Sequence, residues 1–156
     1  MVQKSNTKTA YICGPLTELP TSKQLSVKSF YEHIAKAYKE VMGIEAFVPH
    51  KHYDPIKYPI FLPQEVDKAE RFQLKNNTSL LIVVAIYPSW GGGIEVEIAN
   101  NNDIPVVIIQ PTNKKISRLL RGNPAVKEII SYNNEEEAIN ALKIIFKKVV
   151  TCICPI

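Results

Sequence analysis

Residues 79–86 read SLLIVVAI, and residues 87–99 continue as YPSWGGGIEVEIA. A near-continuous apolar run of this length is typical of a parallel strand buried on both faces. The glycines at 91–93 are followed by apolar residues at helical spacing, which predicts a helix that opens directly after a glycine turn. Glu95 would lie in the first turn of this helix. A buried strand, a glycine turn and a helix in this order indicate an α/β fold.

The segment upstream repeats this alternation. Residues 9–13 are a short apolar run that ends at a Gly-Pro pair, and residues 23–42 carry apolar side chains at helical spacing. Gly43 follows the last periodic residue as a helix stop. Residues 45–48 then predict a second strand, closed by a proline. This arrangement is a βαβ unit.

The rest of the chain completes an open sheet. Residues 51–63 are rich in proline and predict an irregular active-site loop. Further helices are predicted at 64–77, 114–121 and 134–148, and further strands at 105–109 and 128–131. The sequence therefore predicts a single α/β domain over residues 1–156 with about five parallel strands, and flexible ends at 1–8 and 150–156.

Composition narrows the class of protein. The chain has 156 residues, a formal net charge of +4 and only three cysteines, at positions 13, 152 and 154. The basic residues are spread along the chain, so a nucleic acid polymer is not an expected partner. An odd cysteine count argues against a disulfide framework, and no apolar run suits a signal peptide or a membrane span. We expect a cytoplasmic protein that needs neither a cofactor nor a metal.

Ligands in such sheets bind at the carboxyl ends of the strands. Residues 14–17 and 88–95 occupy these positions after the first and the central strand. Gly91 and Gly93 would let backbone amides approach an anion at a helix N-terminus, and Ser89 adds a hydroxyl donor. The alternative is a flexible turn in which Glu95 only caps the helix.

Several motifs in order resemble one family. They are YICGPLT at 11–17, FVPH at 47–50, PSWGGGIE at 88–95, IA at 98–99 and IPV at 104–106. Together they are similar to the nucleoside 2-deoxyribosyltransferase family, including its 2′-deoxynucleoside 5′-monophosphate N-glycosidase branch, over roughly residues 9–122. The resemblance implies a Rossmann-like (flavodoxin-like) sandwich. It also implies cleavage of the bond between C1′ of deoxyribose and a base, by hydrolysis or by transfer.

The resemblance also assigns catalytic roles. Glu95 matches the nucleophile, whose carboxylate attacks C1′ to give a covalent glycosyl-enzyme. Tyr11 matches the tyrosine that hydrogen-bonds the nucleophile or the sugar, although a buried core tyrosine would fit the same pattern. The position of the family's second acid falls here on Arg71. Matching the pattern with one extra residue puts Glu70 in that role, and Asp67 is the alternative.

The substrate-binding residues implied by the resemblance are Gly14, Pro15, His50, Asp67, Ser89, Gly91, Gly93, Ser117 and Arg121. Pro15 and Thr17 stand where the monophosphate branch has a serine and an arginine, so two phosphate donors are missing. Ser117 and Arg121 match a segment that reaches the phosphate of a neighbouring subunit's substrate, which predicts a homodimer or a larger homo-oligomer. These departures leave open a second reading, a noncatalytic nucleotide-binding module with the same fold.

Overall fold

The computed structural model describes residues 7–17 and 19–153. Strands and helices alternate along the chain. Their bounds are β1 (Thr9–Cys13), α1 (Thr21–Met42), α2 (His50–Tyr53), α3 (Pro63–Asn77), β2 (Thr78–Val84), α4 (Trp90–Asn100), β3 (Val106–Pro111), α5 (Arg118–Arg121), β4 (Val126–Tyr132) and α6 (Glu135–Ile153).

The sheet has four parallel strands in the order β1-β2-β3-β4, so the predicted Rossmann-like α/β class is confirmed and the predicted count of five is wrong. The predicted strand at 45–48 is reduced to one bridge between Tyr11 and Phe47. Gly43 ends α1 in a left-handed conformation (φ 73°), and Pro49 starts the next helical turn. Few residues remain between them, and proline has no N–H to extend a ladder.

The Phe47 bridge still determines where the strand order reverses. The Phe47 amide donates to Ala10, and the Ile12 amide donates to Phe47, at the edge of β1 that does not pair with β2. The chain therefore passes outside β1 and then returns to its other side to form β2. In open α/β sheets the ligand crevice lies at such a reversal.

The residues of β2 are almost all apolar because helices cover both faces of this strand. Leu80, Ile82 and Val84 pack with α1 and α6, whereas Leu81 and Val83 pack with α3 and α4. Burial of each such side chain contributes about 1.5–3 kcal/mol, so β2 anchors both layers.

The helix α4 begins earlier than predicted. Its N-cap is Ser89, whose Oγ accepts a hydrogen bond from the Gly92 amide at 3.2 Å. Because this serine caps the helix, the three glycines lie inside its first turn and not in a turn before it. Glu95 consequently lies in the second turn of α4 and not, as the sequence predicted, in the first turn.

Two other segments differ from the prediction. The helix predicted at 114–121 forms only at Arg118–Arg121, because a turn closes between the Lys114 amide and the Pro111 carbonyl, and Ser117 caps the helix that follows. The segment 51–63, predicted to be irregular, contains most of α2 and the first residue of α3.

The predicted flexible ends fall mainly on residues 1–6 and 154–156, which lie outside the described residues. In the part of the chain that the structure describes, no helix combines the length and the apolar character needed to cross a membrane.

Gly14 lies directly after β1, and the Tyr31 side chain approaches its backbone too closely for any larger residue. A Cβ at this position would lie 2.3 Å from Oη of Tyr31, a buried side chain that donates to the Pro15 carbonyl at 2.8 Å. We expect Gly14→Ala to lower the free energy of unfolding by about 1–3 kcal/mol, because the phenol must move and lose its hydrogen bond. Urea denaturation measures the change.

Gly93→Ala is the matched control, because nothing lies within 4 Å of a Cβ added there. Alanine is favoured over glycine inside a helix by up to about 1 kcal/mol, so this variant should be neutral or stabilised. Equal stability of the Gly14→Ala and Gly93→Ala variants would contradict the packing role assigned to Gly14.

Candidate active site

A cleft of about 1100 Å³ opens at the carboxyl ends of β1 and β2. Its walls come from the loop after β1, from α3 and from the first turns of α4. Predicted site residues that line it are Gly14, Pro15, His50, Asp67, Glu70, Ser89, Gly91 and Glu95. The topology therefore gathers most of the predicted residues in one crevice.

Glu95 is the buried carboxylate of this cleft, with 9% of its surface exposed. The Tyr11 hydroxyl donates a hydrogen bond to Glu95 Oε1 at 2.7 Å. Burial raises the pKa of Glu95, while hydrogen bonds from Tyr11 and Cys13 lower it in part. Burial and the neighbouring Glu95 raise the pKa of Tyr11, so this phenol stays protonated as a donor.

Cys13 is a site residue that the sequence analysis missed. Its thiol is the second donor to the Glu95 carboxylate, and burial followed by the charge of Glu95 raises the pKa of this thiol. Side chains two residues apart on a strand point to the same face, so the reach of Tyr11 toward Glu95 implies the same for Cys13. That alternation is the signal that could have identified it.

Glu70 of α3 faces the same cleft and is the second carboxyl group of the site. Burial, then the charges of Glu95 and Asp67, raise its pKa to about 7. Among the residues that the structure describes, no donor hydrogen-bonds the Glu70 carboxyl group, whereas Glu95 has two donors. The donors favour the charged form of Glu95, whereas burial and the charge of Glu95 favour the protonated form of Glu70.

Asp67 and Arg71 neutralise each other one helical turn apart. Arg71 Nε lies 2.9 Å from both carboxylate oxygens of Asp67, and both side chains are about half exposed. Arg71, which the resemblance aligns with the second acid, is thus paired with Asp67. Of the two candidate acids, Glu70 has the environment of a group that holds a proton near neutral pH.

If the Glu95 carboxylate is the nucleophile that the resemblance implies, the rate of the reaction should depend on the hydrogen bond from Tyr11 and on pH. Tyr11→Phe removes a donor that favours the Glu95 carboxylate, so the pKa of Glu95 should rise further. We expect the acidic limb of a kcat/KM profile to move to higher pH and the rate near neutral pH to fall about tenfold or more. Tyr38→Phe, which alters a buried tyrosine in the opposite layer, is the control and should leave the profile unchanged.

His50 lies on the cleft wall with 2% of its surface exposed. Its Nε2 is 3.0 Å from Glu32 Oε1, and burial lowers its pKa although Glu32 opposes that shift. The His50 hydrogen bond lowers the pKa of Glu32, so the Glu32 carboxylate accepts a hydrogen bond from the Nε2–H of a neutral imidazole. Nδ1 is buried without a partner among the described residues and is therefore an acceptor.

One buried ion pair anchors the loop between α2 and α3. Lys28 Nζ lies 2.7 Å from Oδ2 of the fully buried Asp54, whose Oδ1 accepts hydrogen bonds from the Ile56 and Lys57 amides. This loop and its borders supply the aromatic wall of the cleft, namely Tyr53, Tyr58 and Phe61.

Three predicted binding residues do not line the cleft of this chain. Gly93 lies on α4 beside the lining glycines, and Ser117 and Arg121 belong to the α5 segment. The Ser117 hydroxyl accepts a hydrogen bond from the Leu119 amide and caps α5. In the described ranges no group of three or more His, Cys, Asp or Glu side chains is placed to bind a metal ion.

Fold and cleft thus define a Rossmann-like α/β protein with two coupled carboxyl groups at the reversal of its strand order. No family model and no curated protein matches the chain. Among solved structures, it is similar to the CMP N-glycosidase BcmB of Clostridium botulinum, with a TM-score of 0.65 and 18% identity over 88% of this chain and 99% of that one.

Two further solved structures are similar. A 2-deoxyribosyltransferase of Bacillus psychrosaccharolyticus has a TM-score of 0.62 and 16% identity over 85% of this chain and 90% of its own. A conserved protein of Enterococcus faecalis V583 has a TM-score of 0.62 and 14% identity over 88% and 98%. The predicted resemblance is therefore confirmed at the level of the fold.

Proposed function

We propose that this protein cleaves the N-glycosidic bond of 2′-deoxyribonucleosides or their 5′-monophosphates through a covalent intermediate on Glu95. The observation that carries the proposal is the pairing of a buried Glu95, held by Tyr11 and Cys13, with a Glu70 whose pKa is raised to about 7. Two carboxyl groups with separated proton affinities are the pattern of an acid and a nucleophile in glycoside chemistry.

The reaction has two steps. A Glu95 carboxylate oxygen attacks C1′, the C1′–N bond breaks, and its electron pair stays on the base as Glu70 donates a proton to it. Water or a second base then attacks C1′, its proton passes to the Glu70 carboxylate, and the Glu95 oxygen leaves. Glu70 thus acts first as an acid and then as a base, as retaining enzymes require.

The presence of Glu95 and Glu70 in one cleft argues against a noncatalytic nucleotide-binding module. A module of that kind would gain nothing from a buried carboxylate beside the sugar, and burial of an anion costs free energy unless donors compensate it. Tyr11 and Cys13 provide such compensation. The pairing of Arg71 with Asp67 also accounts for the departure at the family's acid position without loss of an acid.

Incubation with a panel of deoxyribonucleosides and their 5′-monophosphates, each with and without an acceptor base, tests the proposal. Chromatography should detect free base from at least one member of the panel, and a new nucleoside where transfer occurs. A complete panel without base release, with a folded protein, would contradict the proposal and favour the binding module.

We also propose that the active unit is a homodimer or larger. Trp90, Phe72 and Leu119 project from α4, α3 and α5 with 92%, 61% and 86% of their surfaces exposed. These three helices pack on one face of the sheet. An exposed large apolar side chain on each of three helices of one layer is suited to an interface.

Light scattering should therefore give a mass of at least two chains, and Leu119→Glu should lower it. Leu25→Glu alters a residue that is 82% exposed on α1, which packs on the opposite face, and should leave the mass unchanged. A monomeric parent chain with full activity would exclude a site completed by a neighbour.

A further inference from the structure

Two lysines with no role so far contact Tyr87 at the border of the cleft. Tyr87 follows β2 and lines the cleft together with Thr17 and Ser89. Lys23 of α1 donates a hydrogen bond from Nζ to Tyr87 Oη at 2.7 Å. The Nζ atoms of Lys23 and Lys114 lie 5.4 and 5.0 Å from the centroid of the Tyr87 ring. The segment after β2, helix α1 and the turn after β3 each contribute one member of this cluster.

The cluster carries positive charge, and no carboxylate of the described residues is paired with it. Within the described ranges neither Lys23 nor Lys114 pairs with a carboxylate, whereas Lys28 is paired with Asp54. The first turn of α1, which includes Lys23, has no acidic residue. The hydrogen bond from Lys23, and then the charges of both lysines, lower the pKa of Tyr87.

The cluster offers mainly donors. The Tyr87 oxygen accepts from Lys23, so its own O–H is free to donate, and each ammonium has further N–H groups available. Tyr87 lines the cleft and the two exposed lysines lie against it, so donors and positive charge meet at the border of the cleft, an arrangement suited to an anion.

We propose that Lys23, Tyr87 and Lys114 form a subsite for a phosphate monoester carried by the substrate. The identity of that substrate as a deoxyribonucleotide rests on the proposed function. Pro15 and Thr17 lack the donors that the monophosphate branch has in the loop after β1, and this cluster replaces them from other elements.

Charge and size favour a phosphate monoester over a carboxylate. A phosphate monoester carries a charge of about −1.5 to −2 near neutral pH, which two ammonium groups match. One carboxylate would leave one of the two lysines without a counter-ion. The cleft, at about 1100 Å³, also exceeds the usual range for small-molecule sites of about 300–1,000 Å³, so it can hold a base, a sugar and a phosphate together.

Calorimetric titration of the full chain with 2-deoxyribose 5-phosphate, and separately with 2-deoxyribose, tests the subsite. The sugar phosphate has no base to release, so binding is measured without turnover. We expect the phosphate to increase the affinity at least about tenfold, and Lys23→Gln with Lys114→Gln to remove that increase. Tyr87→Phe, which retains the ring and loses the O–H, should reduce it in part.

Lys115→Gln is the matched control, because this exposed lysine is adjacent to Lys114, whereas the hydrogen bond and the cation–π contacts of Tyr87 in the described ranges come from Lys23 and Lys114. It should leave the affinity for the sugar phosphate unchanged. Circular dichroism establishes that each variant is folded.

Equal binding of the sugar and its phosphate by the parent chain would overturn the proposal. Equal losses in Lys115→Gln and in the double variant would also overturn it, because a diffuse positive field would then explain the affinity. Failure of the proposed function is seen separately, as absence of base release by a chain that still binds the sugar phosphate through these residues.

Discussion

Replacement of Glu95 by glutamine should lower kcat/KM for base release at least about a thousandfold, which is about 4 kcal/mol of transition-state stabilisation. Glutamine keeps the size of the side chain and can still accept the hydrogen bonds of Tyr11 and Cys13, but it has no negative charge to attack C1′ or to stabilise an oxocarbenium-like transition state. Chromatography of free base under steady-state conditions measures the loss.

Glu97→Gln is the control for this variant. Glu97 lies on the same helix, is exposed and accepts hydrogen bonds from Asn101 and Asn123. Its replacement should change the rate by no more than about twofold, as expected for an exposed substitution. Turnover by Glu95→Gln near that of Glu97→Gln would show that Glu95 is not the nucleophile.

Replacement of Glu70 by glutamine should lower kcat about 10²–10⁴-fold, the usual contribution of a general acid. In the proposed reaction, the protonated form of Glu70 donates to the leaving base. Because its pKa is raised to about 7, the rate of the parent enzyme should fall as pH increases through about 7, where this proton is lost. In Glu70→Gln that alkaline limb should disappear from the profile, which a pH series of initial rates measures.

Asp67→Asn is the control for Glu70, since Asp67 is paired with Arg71 on the same helix. Its charge helps to raise the pKa of Glu70, so the alkaline limb should move slightly to lower pH while the rate below it is retained. If Asp67→Asn removed the limb and Glu70→Gln did not, Asp67 would be the acid.

The local patterns along the chain predict the layers of the fold well. The apolar run at 79–86 is β2, and the periodic residues before Gly43 form α1. The error at 45–48 has a local cause, since the residues have strand character but Gly43 and Pro49 leave room for only one bridge.

The site is less accessible to sequence reasoning because its contacts join distant parts of the chain. The hydrogen bond between Tyr11 and Glu95 links residues 84 positions apart, and only the folded arrangement of β1 and α4 brings them together. The choice of Glu70 over Asp67 depends on burial and on the reach of Arg71, which local spacing does not determine.

The central claim is that Glu95 forms a bond to C1′. The most direct test uses Glu70→Gln with a deoxyribonucleoside whose base leaves readily without protonation. This variant lacks the base that activates water in the second step, so the intermediate should accumulate. Rapid acid quenching, digestion and mass spectrometry should then detect one deoxyribosyl group on the peptide that contains Glu95. Release of base without an adduct, or an adduct on another residue, would contradict the account.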